Sequence, residues 1–370
     1  MPNTNNLSDF RTFGLSDFTP NQLGFHFPAE FEKQDALWLS WPHKEASWPG
    51  KIHLIYNSYC EFILRVASHQ RVCINVADQA MKDFAVNAIR NSAYGKHVAV
   101  ENLFANIYFY FHPTNDAWCR DHGPAFLVNR ETKKKAIVDW GYNAWGDKYP
   151  PYDLDDNIPT LIAKELNLPV FYPEIVMEGG SVEFNGKGTL LTTTACLLNE
   201  NRNPHLSQNQ IEKYLSDYYG VNHILWLGDG IVGDDTDGHI DDITRFVNED
   251  TVVTVVEENK NDENYGLLQE NLHMLKGMRL ENGKQLNIIE LPMPKAIIYE
   301  DQRLPASYAN FYISNENVIV PIFNDDKNDS KALDILQDCF KDRKVVGIDS
   351  VDLIWGLGSF HCLSQQEPAV

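Results

Sequence analysis

The sequence predicts an α/β fold in which about five hairpin–helix–strand units form a closed ring. Four segments share one plan, in which a short alternating strand, an asparagine-containing turn and a second apolar strand follow one another. A helical pattern and a further strand follow each hairpin, and a strand, helix and strand near the N-terminus supply a fifth unit. Repeats of this length are typical of radial or stacked arrays.

The N-terminal unit begins with strand 36–41 and ends with strand 72–76. Between them, apolar residues recur every three or four positions over 52–66, which predicts a helix with one buried face. The four hairpins come next in the sequence. Their first strands are 125–129, 181–186, 244–248 and 310–315, and their second strands are 136–140, 189–193, 251–256 and 318–322.

Two helices of the later units are predicted from local signals. Ser207 and Gln210 form a capping box, and apolar residues follow at helical spacing. Gly220 is expected to end this helix before strand 223–227. A second helical pattern, over 332–340, precedes strand 344–348.

A ring explains the repeats better than a linear stack, because a linear stack leaves its end units exposed. A ring of five units closes on itself and leaves a central channel on which loops from every unit converge. The chain, 1–370, would then be a single domain. The alternative is two unrelated α/β domains whose hairpins are similar by coincidence.

The composition narrows the classes of partner. Lys and Arg total 31 and Asp and Glu total 52, so the net charge is −21. Such a chain is poorly suited to nucleic acid or anionic membranes, and its field attracts cations. No apolar stretch reaches the length of a membrane span, and no export signal is recognised at the N-terminus. The six cysteines form no CxxC pair, so a cytoplasmic protein without a disulfide framework is expected.

Three short segments carry residues suited to chemistry, and each comes directly before the first strand of a hairpin. They are 118–124, 178–181 and 233–242. In a ring they would converge, together with the C-terminal segment 356–368. The third segment places His239 two residues from Asp241, and on an extended backbone both side chains would face one ligand.

The acidic segment does not fit a known cation or dinucleotide motif. In a calcium loop with Gly238 at the sixth position, Gly233 and Thr244 would occupy the first and twelfth positions, where carboxylates are needed. The GxGxxG pattern at 228–233 is followed by aspartates, which repel phosphate. His239 and Cys362 alone do not make a zinc ligand set, so no metal is expected.

Cys362 is either a packed thiol or a nucleophile. A Cys–His pair is the usual form of an activated thiol, and His239 is the candidate partner. Nearby carboxylates disfavour a thiolate, but a bound cation removes this objection. A planar guanidinium suits such a site best, because it pairs with carboxylates through two hydrogen bonds.

The sequence resembles the agmatine deiminases, in the branch that also holds the bacterial peptidylarginine deiminases. The resemblance covers nearly the whole chain. Its motifs are Gly24-Phe25 with Pro28–Glu32, Trp38–Pro42, Trp118–Pro124, Glu178–Ser181, Thr192–Pro204, Asp235–Asp241, and His361-Cys362 with Gln365–Pro368. The C-terminal segment 356–368 departs from the family pattern at two positions. Leu357 stands where a third glycine is usual, and Phe360 stands where a smaller residue is usual.

The resemblance implies a five-bladed α/β propeller around a central active site. It implies Cys362 as nucleophile and His239 as general acid and base, with Asp121, Glu178 and Asp241 holding the guanidinium. The implied reaction converts agmatine to N-carbamoylputrescine and ammonia through an amidino-cysteine intermediate, in putrescine and polyamine metabolism. No cofactor is required.

The amine end of agmatine needs a second subsite. Asp235, as the best placed spare carboxylate, and the face of Trp118 are the candidates; packing of Trp118 under its loop is the alternative. Arg120 is expected to form an ion pair with Asp121.

Three other functions remain open. A peptidylarginine deiminase would use the same chemistry on a protein arginine. A free arginine deiminase needs a basic partner for the substrate α-carboxylate, and the motifs supply only Arg120 and Arg202. A noncatalytic guanidine-binding protein would not need Cys362 and His239. Assembly into a homo-oligomer is left open.

Overall fold

The protein is described by a computed structural model over residues 18–370. The N-terminal segment examined for an export signal lies outside the described residues. The strands are β1 Gln34–Ser40, β2 Arg71–Val76, β3 Ile107–Phe111, β4 Ala125–Asn129, β5 Lys134–Val138, β6 Val170–Phe171, β7 Val182–Phe184, β8 Thr189–Thr193, β9 His223–Leu227, β10 Thr244–Phe246, β11 Thr251–Val256, β12 Asn287–Pro292, β13 Ile298–Tyr299, β14 Gln302–Arg303, β15 Tyr312–Ile313, β16 Asn317–Ile322, β17 Lys344–Asp349 and β18 Ser364–Pro368.

The helices lie between these strands. They are α1 Ile52–Ala67, α2 Gln79–Asn91, α3 Val100–Leu103, α4 Cys119–His122, α5 Ala144–Asp147, α6 Asp153–Asp156, α7 Ile158–Leu166, α8 Thr194–Leu197, α9 Gln208–Tyr219, α10 Asn264–Gly277 and α11 Asp326–Cys339. No helix within residues 18–370 combines the length and apolar character needed to cross a bilayer. The α/β class predicted from the sequence is confirmed.

Five sheets share one plan, in which an antiparallel pair is extended by a parallel third strand. Their orders are β18-β1-β2-β3, β4-β5-β6, β7-β8-β9, β10-β11-β12 and β15-β16-β17. The four predicted hairpins are present. In the first sheet β18 takes the place of the antiparallel partner, with Gln34 opposite Pro368. The first and last strands therefore share a sheet, a pairing that the sequence patterns did not reveal.

The predicted helices form for the reasons expected. Helix α1 buries its apolar face, including Ile55, Tyr59 and Phe62. Helix α9 begins at the Ser207–Gln210 capping box and ends at Gly220, whose positive φ of 69° is easily adopted by glycine. These local signals fix where the helix begins and ends, and so fix the start of β9.

The strands are buried because helices pack against the sheets. All six residues of β11 are buried, and helix α10 packs against this strand. Burial on both faces explains why the strand consists of valine and threonine throughout, without an alternation of apolar and charged residues. All six cysteines are free, and all except the half-buried Cys339 are buried.

The sheets place equivalent loops together. Residues 118–124, 178–181 and 233–242 directly precede β4, β7 and β10, as predicted. Asn310 stands before β15 and Cys362 before β18, so each of the five sheets contributes a residue at the same point of its plan. The site lies where these five loops meet.

Candidate active site

A cavity of about 260 Å³ opens where the loops meet. Cys362 and Asp121 line it, with aromatic side chains around them. The aromatic residues are Trp118, Trp145, Tyr149 and Trp355. Its size and its mixture of aromatic walls with few polar groups are typical of a small-molecule site.

Cys362 is held by Asn310 and faces Asp241. The Asn310 amide donates to Sγ at 2.9 Å, and Asp241 Oδ2 lies 3.6 Å from Sγ. Burial raises the pKa of the Cys362 thiol well above its ordinary value, and the carboxylates of Asp241, Asp242 and Asp121 raise it further. The unliganded site therefore keeps this cysteine as a neutral thiol.

Asp241 is fixed from the other side by His361. His361 Nδ1 lies 2.7 Å from Asp241 Oδ2, and Nε2 lies 2.7 Å from Glu30 Oε2. An imidazole that bonds two carboxylates is a double donor and carries a positive charge. Burial alone would raise the pKa of Asp241, but the hydrogen bond and charge of His361 lower it. Asp241 is therefore an ionised carboxylate beside the thiol.

His239 is fully buried beside two of the predicted carboxylates. Its Nδ1 lies 3.7 Å from Asp121 Oδ1 and 4.0 Å from Asp241 Oδ1. Burial lowers the pKa of His239, but Asp121, the Cys196 thiol and Asp241 outweigh it and hold the pKa well above the ordinary value. His239 is therefore a proton donor in the unliganded site.

The local backbone at His239 differs from the expectation. Residues Ile240–Asp242 form a 3₁₀ turn rather than an extended strand. The turn is closed by the Ile243 backbone N–H, which donates to the Ile240 oxygen, and the preceding residues are fixed by Asp234 Oδ2, which accepts the backbone N–H groups of Gly238 and His239. His239 and Asp241 still converge, but through a tight turn and not through strand alternation.

Asp121 has both carboxylate oxygens engaged. Trp145 Nε1 donates to Oδ2 at 3.0 Å, and the Gly180 backbone N–H donates to Oδ1 at 2.9 Å. Burial raises the pKa of Asp121 to about 6, opposed by His239 and reinforced by Asp241 and Glu178. A Cβ at Gly180 would lie 2.5 Å from His239 Nδ1, so glycine is required for this close approach.

Glu178 presents one free oxygen to the site. Arg202 Nε donates to Oε1 at 2.6 Å. Oε2 is buried and has no hydrogen-bond partner among residues 18–370, and the same holds for Asp241 Oδ1. Two buried carboxylate oxygens are thus left to accept hydrogen bonds from a ligand.

The two predicted residues for the amine end have different environments. Trp118 lines the cavity and also stacks on Trp48, with ring centroids 5.1 Å apart. Asp235 is not spare, contrary to the prediction. Lys148 Nζ lies 3.3 Å from its Oδ1, and the Tyr149 hydroxyl donates to its Oδ2.

Arg120 is placed differently from the prediction. It bonds Glu30 at 3.2 Å and Gln366 at 2.6 Å, and the ion pair predicted with Asp121 is not formed. The interaction was missed because Glu30 is 90 positions away in sequence. Arg120 therefore supports the segment that carries Cys362.

Several groups of the site were not assigned from the sequence. They are Asn310, His361, Glu30, Trp145, Lys148 and Cys196. His361 had a signal, since it adjoins Cys362 in the C-terminal motif, whereas Trp145 and Asn310 had none. Two groups of potential metal ligands also lie in the site. They are Glu178–Cys196–His239 and Asp241–Asp242–Cys362, and the ligand atoms of each group lie within 4.8 Å of one another. Both sets consist largely of the groups predicted to handle substrate.

Comparison with known proteins identifies the family. A family profile described as Porphyromonas-type peptidyl-arginine deiminase matches residues 26–368. The chain belongs to this family. A curated Legionella pneumophila (strain Paris) relative, provisionally named an agmatine deiminase, is 37% identical over 351 residues, covering 94% of this chain and 97% of the relative.

Solved structures agree with this membership. The agmatine deiminase of Enterococcus faecalis, described as catalysing its reaction, has a TM-score of 0.86 at 33% identity and covers 95% of this chain and 98% of its own. A C. jejuni agmatine deiminase with a cysteine-to-serine change and substrate bound has a TM-score of 0.82 at 33% identity, covering 93% and 96%. The predicted membership in this group of C–N hydrolases of linear amidines is confirmed.

Proposed function

We propose that this protein hydrolyses agmatine to N-carbamoylputrescine and ammonia. The observation that carries the proposal is the clustering of Cys362, His239, Asp121, Glu178 and Asp241 beside a cavity that Cys362 and Asp121 line. The names of the relatives support agmatine as the substrate.

The guanidinium is bound by buried carboxylates. Glu178 Oε2 and Asp241 Oδ1 have no hydrogen-bond partner within the described part of the chain, and they accept N–H groups of the ligand. Asp121 adds a third carboxylate on the cavity wall. Charge-assisted hydrogen bonds of this kind fix a planar cation in one orientation, which places its central carbon beside Cys362 Sγ.

The cation also activates the nucleophile. The carboxylates that raise the pKa of Cys362 are neutralised when the guanidinium binds, so the thiolate becomes accessible in the complex. Asp241 Oδ2, 3.6 Å from Sγ, is positioned to accept the thiol proton.

The reaction then follows in two halves. The Cys362 thiolate forms a bond to the guanidinium carbon, and the bond to one nitrogen breaks as His239 protonates it, which releases ammonia. In the second half His239 takes a proton from water, the hydroxide attacks the amidino carbon, and the thiolate leaves. The product carries a ureido group.

The charges around the cavity favour an amine over an amino acid. Three carboxylates line the cavity, Asp116, Asp121 and Asp235. The one cation among its lining residues, Lys44, lies 3.4 Å from Asp116. A substrate α-carboxylate would therefore meet repulsion, which disfavours free arginine.

The finer architectural and cellular predictions fit this function. The shared plan of the five sheets supports their arrangement as propeller blades around the site. A single domain, a role in polyamine metabolism, a cytoplasmic location and a homo-oligomer remain predictions.

Ammonia release from agmatine, arginine and a peptide with C-terminal arginine tests the proposal. We expect release from agmatine alone, and none from the Cys362→Ala protein, which should fold normally. Circular dichroism and thermal unfolding check that fold.

Each other outcome has a defined meaning. Release from the peptide or from arginine would keep the chemistry and change the substrate. Release from none, with agmatine binding retained, would indicate a guanidine-binding protein. Undiminished activity of Cys362→Ala would exclude the covalent mechanism.

A further inference from the structure

A lysine ammonium pairs with Asp235, which lines the acidic end of the cavity. Lys148 Nζ lies 2.6 Å from the backbone oxygen of Asp235, 3.3 Å from Asp235 Oδ1 and 2.9 Å from Asp237 Oδ1. The Lys148 head group has the same chemistry as the free amine at the far end of agmatine.

Lys148 has a second partner on which it can remain. Asp237 is fixed independently, because Arg202 Nη1 donates to its Oδ2 at 2.7 Å and Asn201 donates to the same oxygen at 3.0 Å. Lys148 can therefore give up Asp235 while keeping Asp237 Oδ1. The exchange breaks part of a half-exposed ion pair, a contact of modest free energy.

The segment that carries Lys148 reaches both ends of the cavity. Trp145 donates to Asp121 at the guanidinium end, and Lys148 and Tyr149 engage Asp235 at the other. Its four residues 144–147 all have positive φ, between 49° and 92°. Such a backbone persists only where contacts hold it in place.

We propose that Lys148 occupies the subsite for the substrate's second cation, and that a substrate ammonium binds Asp235 by exchanging with it. Lys148 is thus a specificity-determining residue that weakens the selection for a doubly charged substrate. The inference rests on the proposed function, since it concerns the far end of the same substrate.

Binding to the Cys362→Ala protein tests the exchange without turnover. Agmatine is compared by calorimetry with n-butylguanidine, which has the same guanidinium and four-carbon chain but no amine. Lys148→Met should increase the preference for agmatine over n-butylguanidine by about three- to fivefold, because the substrate no longer competes with an internal ammonium. Lys148→Arg should keep the original preference.

Two controls isolate the contact from the change in net charge. Lys44→Met removes the same charge from a lysine that pairs with Asp116, and it should change the preference less. In an Asp235→Asn background, Lys148→Met should no longer increase the preference. Thermal unfolding checks each variant, and Lys148→Gln serves if Lys148→Met does not fold.

The outcomes separate this inference from the proposed function. A preference that is unchanged or reduced in Lys148→Met overturns the exchange, as does an equal gain in the Asp235→Asn background. Binding with the expected shift, but no ammonia from the protein that retains Cys362, would leave the exchange standing and overturn the hydrolase. Failure of both ligands to bind would overturn both.

Discussion

At the scale of single residues, the site is a set of charges whose protonation depends on the ligand. Asp121 and Cys362 are both held toward their neutral forms, whereas His239 is held toward its charged form. A guanidinium reverses this preference for the two acids. On the proposed function, the unliganded protein thus keeps the Cys362 thiol in an unreactive state.

The pH dependence of binding follows from Asp121. Its pKa is raised to about 6, and a bound cation stabilises the ionised form, so ligand binding releases a proton below pH 6. We expect agmatine affinity for the Cys362→Ala protein to fall as the pH decreases from 7 to 5, by up to about tenfold per pH unit below 6. Calorimetry across this range measures the effect.

Asp121→Asn provides the matched control. The amide does not titrate, so this part of the pH dependence should disappear while affinity is weaker overall. The same slope in both proteins would show that another group is responsible.

The sequence predicted which residues meet, but only part of how they are held. Cys362, His239 and the three carboxylates could be predicted because their motifs are specific together. The pairing of Asp235 with Lys148 could not, because the two residues lie 87 positions apart. Charged side chains often pair with residues that are distant in sequence, and local sequence patterns do not indicate which residues these are.

At the scale of elements, the loop before Cys362 is held in a strained conformation. Leu357 lines the cavity and has φ of 69°, in the left-handed region that favours glycine. The strain arises because a leucine, which has a Cβ atom, occupies this conformation. The leucine side chain forms part of the cavity wall, and its backbone conformation lowers the stability of the folded protein.

The strain is measured by comparing two truncations. Leu357→Gly and Leu357→Ala both remove most of the side chain, but only glycine relieves the backbone. We expect the free energy of unfolding to be higher for Leu357→Gly than for Leu357→Ala by about 1 kcal/mol. Urea unfolding provides the measurement.

Helix α11 offers the opposite case. Leu333 lies within this right-handed helix, where alanine is preferred over glycine by about 1 kcal/mol. The same pair of substitutions at Leu333 should therefore reverse the order of stability. If the glycine and alanine variants had the same order of stability at both positions, backbone strain at Leu357 would be excluded.

Local signals predicted elements well where a side chain or glycine fixes the backbone. The capping box of α9 and its terminal Gly220 are examples. The extended backbone expected from His239 to Asp241 was wrong beyond His239, because residues Ile240–Asp242 form a 3₁₀ turn; Asp234 fixes the residues before it by accepting the N–H groups of Gly238 and His239. Aspartate competes with regular structure in this way, and its choice of partner is not visible in the sequence.

At the scale of the whole molecule, a buried arginine joins the sheets. Arg245 on β10 donates a hydrogen bond to Glu183 on β7 at 2.8 Å and to the backbone oxygens of Ala309 and Phe311, and it forms an ion pair with Glu30 at 3.1 Å. Glu30 in turn bonds Arg120 and His361. One ionic network therefore links loops or strands of all five sheets.

Removing this arginine should destabilise the whole protein. Arg245→Met leaves the buried carboxylate of Glu183 without its cation and removes one of the cations around Glu30, so we expect a loss of about 3–5 kcal/mol in the free energy of unfolding. Urea unfolding measures it, and Arg245→Lys, which keeps a charge, should lose less.

Arg130→Met is the surface control. Arg130 is exposed and pairs with Glu32, so its loss should change stability by no more than about 1 kcal/mol. A loss at Arg245 as small as that at Arg130 would contradict a central role for the network.

The shared plan of the sheets was predictable from the four hairpins, because each repeats the same pattern. The pairing of β18 with β1 was not, since its residues are largely polar and do not alternate as a buried strand does. They are buried because they bond other buried groups, as Glu367 does with Trp38 at 3.0 Å. A buried strand made of polar residues is not detected by its hydrophobic periodicity.

The free cysteines give the protein a built-in set of labels. Three of them are fully buried at different sheets: Cys73 lies in the first sheet, Cys119 precedes β4 of the second, and Cys196 follows β8 of the third. A buried thiol reacts with an alkylating agent only when its surroundings open. Pulsed alkylation followed by mass spectrometry would therefore show the order in which the sheets separate, without any probe being introduced.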